Sequence, residues 1–202
     1  MTHARGPLFI AAAATALFLS GCGSETTGTA APASTTASTT TSEETSSAAP
    51  VPTGDATAPG TKLKVGARAV IPYAATDKNG TIAVTLTAIE PGAKEDLAKF
   101  GDKAKGITPF YLRVRVENLS GTDLRYTSVS LRGLGTDGKG TGVIISGDTP
   151  KCDSTSAPKT FTTAGASYET CVLTAAPDGS KVAAAEYNRG DGYDKSPVVW
   201  ES

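Results

Sequence analysis

The chain has 202 residues, with 19 Lys and Arg against 20 Asp and Glu, and a formal net charge of −1. This balance creates no positive field, so we expect no nucleic-acid partner and no binding to a membrane through surface charge. Because the sequence contains one histidine, His3, and three cysteines, little catalytic or metal chemistry is open to it.

Residues 1–21 have the composition of a signal peptide. Arg5 and the α-amino group supply a short positive region, and the apolar run Leu8–Leu19 follows it. This run is too short for a membrane-spanning helix, which needs ~20 apolar residues, and no basic stop signal comes after it. The segment ends on the pattern aliphatic, small, small, cysteine, which is formed by Leu19, Ser20, Gly21 and Cys22.

These four residues resemble the lipobox of bacterial lipoproteins. The resemblance implies cleavage before Cys22, a diacylglycerol and a further acyl chain such as palmitate on that cysteine, and a membrane partner through this lipid. Two chains suffice for stable attachment because each buried CH₂ contributes ~0.8 kcal/mol. We therefore expect a location on the extracytoplasmic face of the cell membrane, at the cell surface. Plain secretion, with an incidental cysteine, is the alternative.

Residues 22–60 form the second predicted region, a linker that begins with the lipidated Cys22. Its residues are mostly Thr, Ser, Ala, Pro and Gly, with Val51 as the only bulky aliphatic residue. Such a composition cannot bury enough apolar surface to offset the entropy of ordering the chain, so the linker is predicted to be disordered. Its Ser/Thr/Pro content is typical both of an O-glycosylated stalk and of an unmodified spacer.

Residues 61–202 form the third predicted region, a β domain in which apolar and polar residues alternate. Ile82, Val84 and Leu86 share one strand face, and in "FYLRVRVEN" (110–118) Phe110, Leu112, Val114 and Val116 do the same. Alternation of this kind predicts a sheet with one buried face and one exposed face. The predicted strands are 67–75, 81–89, 110–118, 125–134, 141–146, 159–163, 168–176, 181–187 and 197–201.

Residues 91–106 do not alternate and are predicted to be a long loop containing one or two helical turns. Turn sequences such as Asp77–Gly80 and Ser120–Asp123 separate the other elements. About seven to nine short strands with regular turns predict an all-β, antiparallel β-sandwich.

Cys152 and Cys171 are the pair left when Cys22 carries lipid. Outside the membrane the compartment is oxidising, so we expect a disulfide between them, with Cys171 pointing inward on the face of Leu173. Two free thiols and a metal site are the alternatives. No histidine is left after processing to complete a zinc site, and the C-x-x-C spacing of a redox motif is absent.

Catalytic motifs are scarce in the sequence. Removal of His3 with the signal peptide excludes Ser-His-Asp and Cys-His arrangements. A carboxylate pair of the glycosidase type is the remaining catalytic option. The candidates for this pair are Glu90, Glu95, Asp96, Glu117 and Glu186. The alternative interpretation is that each is an ordinary solvated charge on the surface.

Three further motifs are interpreted as turns. The segment "NRGDGYD" (188–194) has the oxygen ligands of a calcium loop but lacks the spacing of an EF-hand, and the tripeptide 189–191 is too common to indicate integrin binding. The glycine-rich segment 133–142 precedes no helix and is read as a hairpin turn. We expect no metal and no cofactor.

The exposed face of strand 110–118 is the one patterned surface row in the sequence. Tyr111, Arg113 and Arg115 lie on it and form a candidate binding strip. An ordinary solvent-facing sheet surface is the alternative interpretation.

Together these segments resemble a family of bacterial lipoproteins and secreted proteins with a telokin-like, immunoglobulin-like domain of unknown function. The resemblance implies an immunoglobulin-like sandwich without catalytic residues. It covers most of residues 62–202 and rests on "KVGARAVI" (64–71), "IAVTLTAIEPG" (82–92), "PFYLRVRVENLSGTDL" (109–124), "CVLTAAPDG" (171–179) and "VVWE" (198–201). In it, Asn118 starts the turn after the central strand. The long 91–106 loop and the disulfide depart from the family pattern.

The sequence therefore predicts a lipid-anchored, non-enzymatic, monomeric module that binds an unidentified protein, envelope polymer or small ligand. The alternatives are a carboxylate-dependent hydrolase of envelope glycan and a purely structural envelope protein.

Overall fold

The computed structural model describes residues 55–202, and the predicted signal peptide, Cys22 and most of the predicted linker lie outside this range. Within it, the chain forms eight strands and one 3₁₀ segment. They are β1 (Lys62–Lys64), β2 (Arg68–Ala75), β3 (Lys78–Pro91), the 3₁₀ segment (Lys94–Ala104), β4 (Ile107–Asn118), β5 (Arg132–Leu134), β6 (Ser167–Pro177), β7 (Ala184–Tyr187) and β8 (Val198–Glu201).

The strands form two four-stranded sheets. The larger sheet has the order β2-β3-β4-β6 and is antiparallel throughout, whereas the smaller has the order β1-β8-β7-β5. In the smaller sheet β1 pairs in parallel with β8, and the other pairs are antiparallel. The predicted all-β sandwich is confirmed.

The main core consists of the apolar faces that alternation predicts. Ile82, Val84 and Leu86 on β3 are buried, as are Leu112 and Val114 on β4. Trp200 on β8 is fully buried in the same core, and its indole Nε1 donates to the carbonyl of Ala67 at 2.8 Å. A buried tryptophan whose N–H has a partner contributes its large apolar surface without an unsatisfied donor.

The outer face of the larger sheet carries a second apolar cluster. Tyr111 and Leu173 form it with the disulfide-bonded Cys171, and Leu97 of the 3₁₀ segment covers them. Part of the face expected to contact solvent is therefore buried beneath the 91–106 region. That region was predicted as a loop with helical turns, and the turns are present on both sides of a kink at Gly101, where φ is 56°.

Three predicted strands differ from the structure. Only Arg132–Leu134 of the predicted strand 125–134 pairs in a sheet, and segments 141–146 and 159–163 form no strand. In 159–163 the amide of Phe161 donates to the carbonyl of Pro158, so the backbone turns and the aromatic ring enters the core. A segment with alternating apolar residues can bury its side chains from a turn as well as from a strand. The alternation alone does not distinguish the two.

The folded part begins earlier than residue 61. Thr57, expected in the linker, donates its amide to the carbonyl of Val70 at 2.8 Å, and its Oγ1 accepts from the amide of Val70 at 2.9 Å. Its carbonyl accepts from the hydroxyl of Tyr193 at 2.6 Å. Thr57 thus pairs with the outer edge of β2, which would otherwise expose unpaired backbone groups.

Candidate functional site

The structure buries one of the three members of the predicted binding strip. Tyr111 is only 2% exposed, so it is not a solvent-facing residue, contrary to the prediction. Residues before and within the 3₁₀ segment cover it: a Cβ atom at Gly92 would lie 2.5 Å from Tyr111 Cζ. Arg113 and Arg115 remain accessible, and Arg115 Nη2 donates to Ser167 Oγ at 3.1 Å.

Tyr111 belongs to a polar cluster beneath the 3₁₀ segment. Its hydroxyl donates to Asp96 Oδ2 at 2.6 Å, and the same oxygen accepts from the amide of Ala93 at 3.1 Å. Lys151 Nζ lies 3.4 Å from it. The hydrogen bond from Tyr111 is the main reason that the pKa of Asp96 lies below its ordinary value. Burial, followed by the Asp96 carboxylate, raises the pKa of Tyr111.

The predicted disulfide between Cys152 and Cys171 is present, with the two Cα atoms 5.2 Å apart. Cys171 is buried, but it does not point into the core between the sheets. Cys171 is paired with Arg113 across β4 and β6 and lies on their outer face, where the loop around Cys152 between β5 and β6, which we call the disulfide-bearing loop, covers it. The prediction that Cys171 points into the core is therefore wrong, because its burial comes from a loop on the outer face of the sheet.

A groove of about 330 Å³ lies beside the disulfide, and we call it the disulfide groove. Its charged side chains are two basic and two acidic: Arg113, Lys151, Asp153 and Glu169. Arg113 Nε also donates to Glu90 Oε2 at 2.9 Å, which occupies part of its bonding capacity. Thr87 reaches the groove at the point where a register shift interrupts the pairing of β3 with β4.

None of the candidate catalytic carboxylates lines the disulfide groove. Four of the five have basic or hydrogen-bonding partners: Glu90 with Arg113, Asp96 with Tyr111 and Lys151, Glu117 with Arg68, and Glu186 with Arg132. A general acid in a glycosidase needs a raised pKa, whereas that of Asp96 is lowered.

A groove that the sequence did not indicate lies at the β2–β3 hairpin, and we call it the hairpin groove. It has a volume of about 370 Å³ and is lined by Tyr73, Thr76, Asp77, Lys78, Arg125 and Tyr126, among others. Tyr126 was placed in a predicted strand, yet its side chain is 70% exposed and its φ is 62°. The turn residues 120–123 that precede it were the available signal that this segment leaves the sheet.

Two more grooves border the smaller sheet. A groove of about 540 Å³ follows the glycine-rich turn, in which the amide of Gly135 donates to the carbonyl of Lys139, as expected of a hairpin. A groove of about 360 Å³ runs beside segment 141–146, where Ile144 is fully exposed. Both are lined largely by glycines and small or aliphatic residues.

The segment "NRGDGYD" forms a turn between β7 and β8. The amides of Tyr193 and Asp194 both donate to the carbonyl of Gly190, and Asp191 and Asp194 are exposed. Among residues 55–202 no group of three or more His, Cys, Asp or Glu side chains is arranged to hold a metal ion. In the same part of the chain, no helix is long and apolar enough to span a membrane.

Comparison with known proteins gives one structural match. No family model matches the chain, and no curated protein matches it. Among solved structures, the chain is similar to a secreted protein of Mycobacterium tuberculosis, MPT63, at 13% identity and a TM-score of 0.48. The match covers 72% of this chain and 100% of MPT63.

Proposed function

We propose that the chain is a lipoprotein anchored through acyl chains at Cys22, whose β-sandwich is a non-enzymatic binding module on the extracytoplasmic side of the membrane. The monomeric sandwich would bind an envelope polymer, a protein or a small ligand. In this proposal it belongs with the lipoproteins that carry telokin-like, immunoglobulin-like domains.

The buried Cys152–Cys171 disulfide is the main observation that supports the proposed extracytoplasmic location. Disulfides persist in oxidising compartments and are rare in the cytosol. The lipobox and the polar linker of residues 22–54 support the same location because they would tether the domain outside the membrane.

The candidate carboxylates that are already bonded to basic or hydroxyl partners support a binding function over hydrolysis. Glu90 and Asp96 contact Arg113 and Lys151 of the disulfide groove, and each accepts a hydrogen bond, Glu90 from Arg113 and Asp96 from Tyr111. The disulfide groove and the hairpin groove are concave and lined by several charged and polar residues, which suits the binding of a ligand. Release of new reducing ends from cell-envelope glycan by the purified protein, above a heat-denatured control, would instead favour the hydrolase.

Lipid attachment is tested by Cys22→Ser in the producing bacterium, with Thr26→Ala as a control outside the lipobox. We expect the substitution to abolish labelling by an alkyne-tagged palmitate and to move the protein from the detergent phase to the aqueous phase. Thr26→Ala should behave as the parent. A Cys22→Ser protein that is still labelled and partitions with detergent would contradict the anchor.

Partner identity is tested by proximity labelling on intact cells. A peroxidase fused after Ser202 would label neighbouring envelope components, and the pattern is compared with that of the Cys22→Ser protein. Labelling confined to the lipid-anchored form, and saturable by added purified domain, is the outcome expected of a binding module. Labelling that added domain does not reduce would favour the purely structural alternative.

A further inference from the structure

The hairpin groove combines features that the other grooves lack. Among residues 55–202 the large apolar or aromatic side chains that are strongly exposed are Tyr126 and Ile144, and only Tyr126 is aromatic. Tyr126 lines the groove together with charged residues of the β2–β3 hairpin. An exposed aromatic ring beside polar side chains offers a flat apolar surface and hydrogen-bonding groups to the same ligand.

Backbone strain in residues 55–202 is concentrated in this groove. Thr76 and Tyr126 are the two non-glycine residues of that range with positive φ, at 42° and 62°, and both line the groove. Thr76 is the first of the two residues between paired Ala75 and Lys78, a position where a two-residue hairpin turn with positive φ usually has glycine. Such residues cluster at binding sites, where the surrounding structure holds them.

The backbone around Tyr126 is fixed by hydrogen bonds. Its amide donates to the carbonyl of Ala157 at 2.8 Å, and the amide of Ala157 donates to the carbonyl of Thr127 at 2.8 Å. One residue further, the carbonyl of Ser128 accepts from the hydroxyl of Tyr73 at 2.9 Å. The exposed ring therefore projects from a rigid loop, which lowers the entropy lost when a ligand stacks on it.

The charged groups beside the ring are equal in number and hold each other in place. Arg125 donates to Asp123 through Nε at 3.0 Å and through Nη2 at 2.8 Å, and Lys78 Nζ lies 3.2 Å from the same carboxylate. Hydrogen bonds from Arg125 lower the pKa of Asp123 to about 2, so this acceptor stays ionised. The groove is lined by two cations and one carboxylate, Asp77, and Asp123 neutralises the cations as their ion-pair partner, which favours neither a polyanion nor a polycation.

We propose that the hairpin groove binds a neutral saccharide, with one sugar ring stacked on Tyr126 and its hydroxyl groups bonded to Asp77, Lys78 and Arg125. The axial C–H groups of a pyranose match an aromatic face, and its hydroxyls both donate and accept. An apolar peptide fits less well because it would need several apolar contacts, and Tyr126 is the only exposed aromatic ring in the groove. The inference rests on the proposed binding module and names its ligand class.

The test is a titration of the full chain with maltotriose, mannotriose, cellotriose and N-acetylated chitotriose, all of them neutral, followed by amide chemical shifts. The protein is purified from membranes in detergent, or from the medium if it is not anchored, so failure of the anchor does not affect the result. We expect saturable shifts at Thr76, Lys78 and Tyr126 with at least one saccharide, at a dissociation constant on the order of 1 mM.

Variants separate binding from folding. Tyr126→Gly removes the ring and relieves the positive φ, so affinity should fall about tenfold or more while the thermal unfolding midpoint is unchanged or higher. Tyr126→Phe keeps a stacking surface and should retain most of the affinity. Ile144→Ser is the control because it removes the other strongly exposed apolar side chain and should not change affinity.

Several results would overturn the proposal. They are the absence of saturable shifts with all four saccharides, shifts that lie around the disulfide groove instead, and equal loss of affinity in Tyr126→Gly and Ile144→Ser. Saturable shifts at Tyr126 with an extended peptide, and none with any saccharide, would assign the groove to protein recognition instead.

Discussion

Asn118 shows how one buried polar side chain closes a junction of the sandwich. It is fully buried at the end of β4, and its Nδ2 donates to the carbonyl of Thr122 at 2.8 Å and to that of Phe161 at 3.3 Å. Its Oδ1 accepts from the amide of Gly121 at 2.9 Å. The side chain thus joins its own turn to a distant loop, and its own buried polar atoms all have partners there.

Asn118→Ala should therefore destabilise the protein strongly. The carbonyl of Thr122 and the amide of Gly121 lose a partner, the carbonyl of Phe161 keeps only the amide of Leu124, and we expect a loss of about 2 kcal/mol in the free energy of unfolding. Urea unfolding followed by the fluorescence of Trp200 measures it. Asn79→Ala is the matched control: Asn79 is exposed on β3, and its substitution should cost less than about 0.5 kcal/mol. Equal effects of the two substitutions would contradict this role for Asn118.

At the residue scale, alternation predicted which side of the sheet a side chain occupies but not what covers that side. Leu112 and Val114 are buried between the sheets as expected. Tyr111 lies on the opposite face, as the pattern also indicated, yet it is buried under residues 92–97. This packing depends on where a separate segment folds back, and a period of two residues contains no such information.

The 3₁₀ segment is an element whose attachment depends on charge. Leu97 is its fully buried apolar residue, and Asp96 connects it to Tyr111 and to Lys151. Phe100 and Ala104 of the segment pack only partly buried against the same cluster, so the polar contacts with β4 and with the disulfide-bearing loop also contribute to keeping the segment on the sheet. Segments of this kind open at lower free energy than the core.

The stability of this attachment should depend on pH through Asp96. Its pKa is lower in the folded protein than the ordinary value of about 3.9 in the unfolded chain. The stabilisation is thus complete above about pH 5 and is lost as the pH falls through the folded pKa. In Asp96→Asn the urea midpoint should fall less between pH 5 and pH 2 than in the parent.

Asp102→Asn is the control for this pH experiment. Asp102 belongs to the same segment and pairs with Lys105, but both side chains are largely exposed. Since exposed pairs contribute little, its pH profile should follow that of the parent. A parent-like profile for Asp96→Asn would show that the carboxylate does not couple the segment to the sheet.

At the element scale, the long regular strands were predictable and the irregular segments were not. Strands β3, β4 and β6 contain the predicted segments because their alternation is sustained over many residues. The stretch 125–131 reads equally well as a strand, but Leu124, Val129 and Leu131 enter the core from a loop in which Tyr126 has positive φ. The hairpin groove lies in this irregular region, so the candidate site was less predictable than the fold.

For the whole molecule, the N-terminal boundary of the domain lies at or before Thr57. A chain that starts at Asp55 should unfold at the same urea concentration as the longer chain. A chain that starts at Thr61 loses three hydrogen bonds to Val70 and Tyr193 and should be less stable by about 3 kcal/mol.

Thr57→Val is the matched variant because it removes the hydroxyl and keeps the backbone bonds. It should cost only about 1 kcal/mol, through the amide of Val70 that loses its acceptor. If the chains that start at Asp55 and at Thr61 had equal urea midpoints, the boundary would lie at residue 61, as the composition of the sequence predicts.

The parallel pairing of β1 with β8 determines how the domain responds to mechanical load. Lys62 pairs with Val199 and Lys64 with Glu201, so the first and last strands point in the same direction. Tension between the two ends of the domain pulls these strands past one another along their length. The hydrogen bonds between them then bear the force together instead of opening one after another.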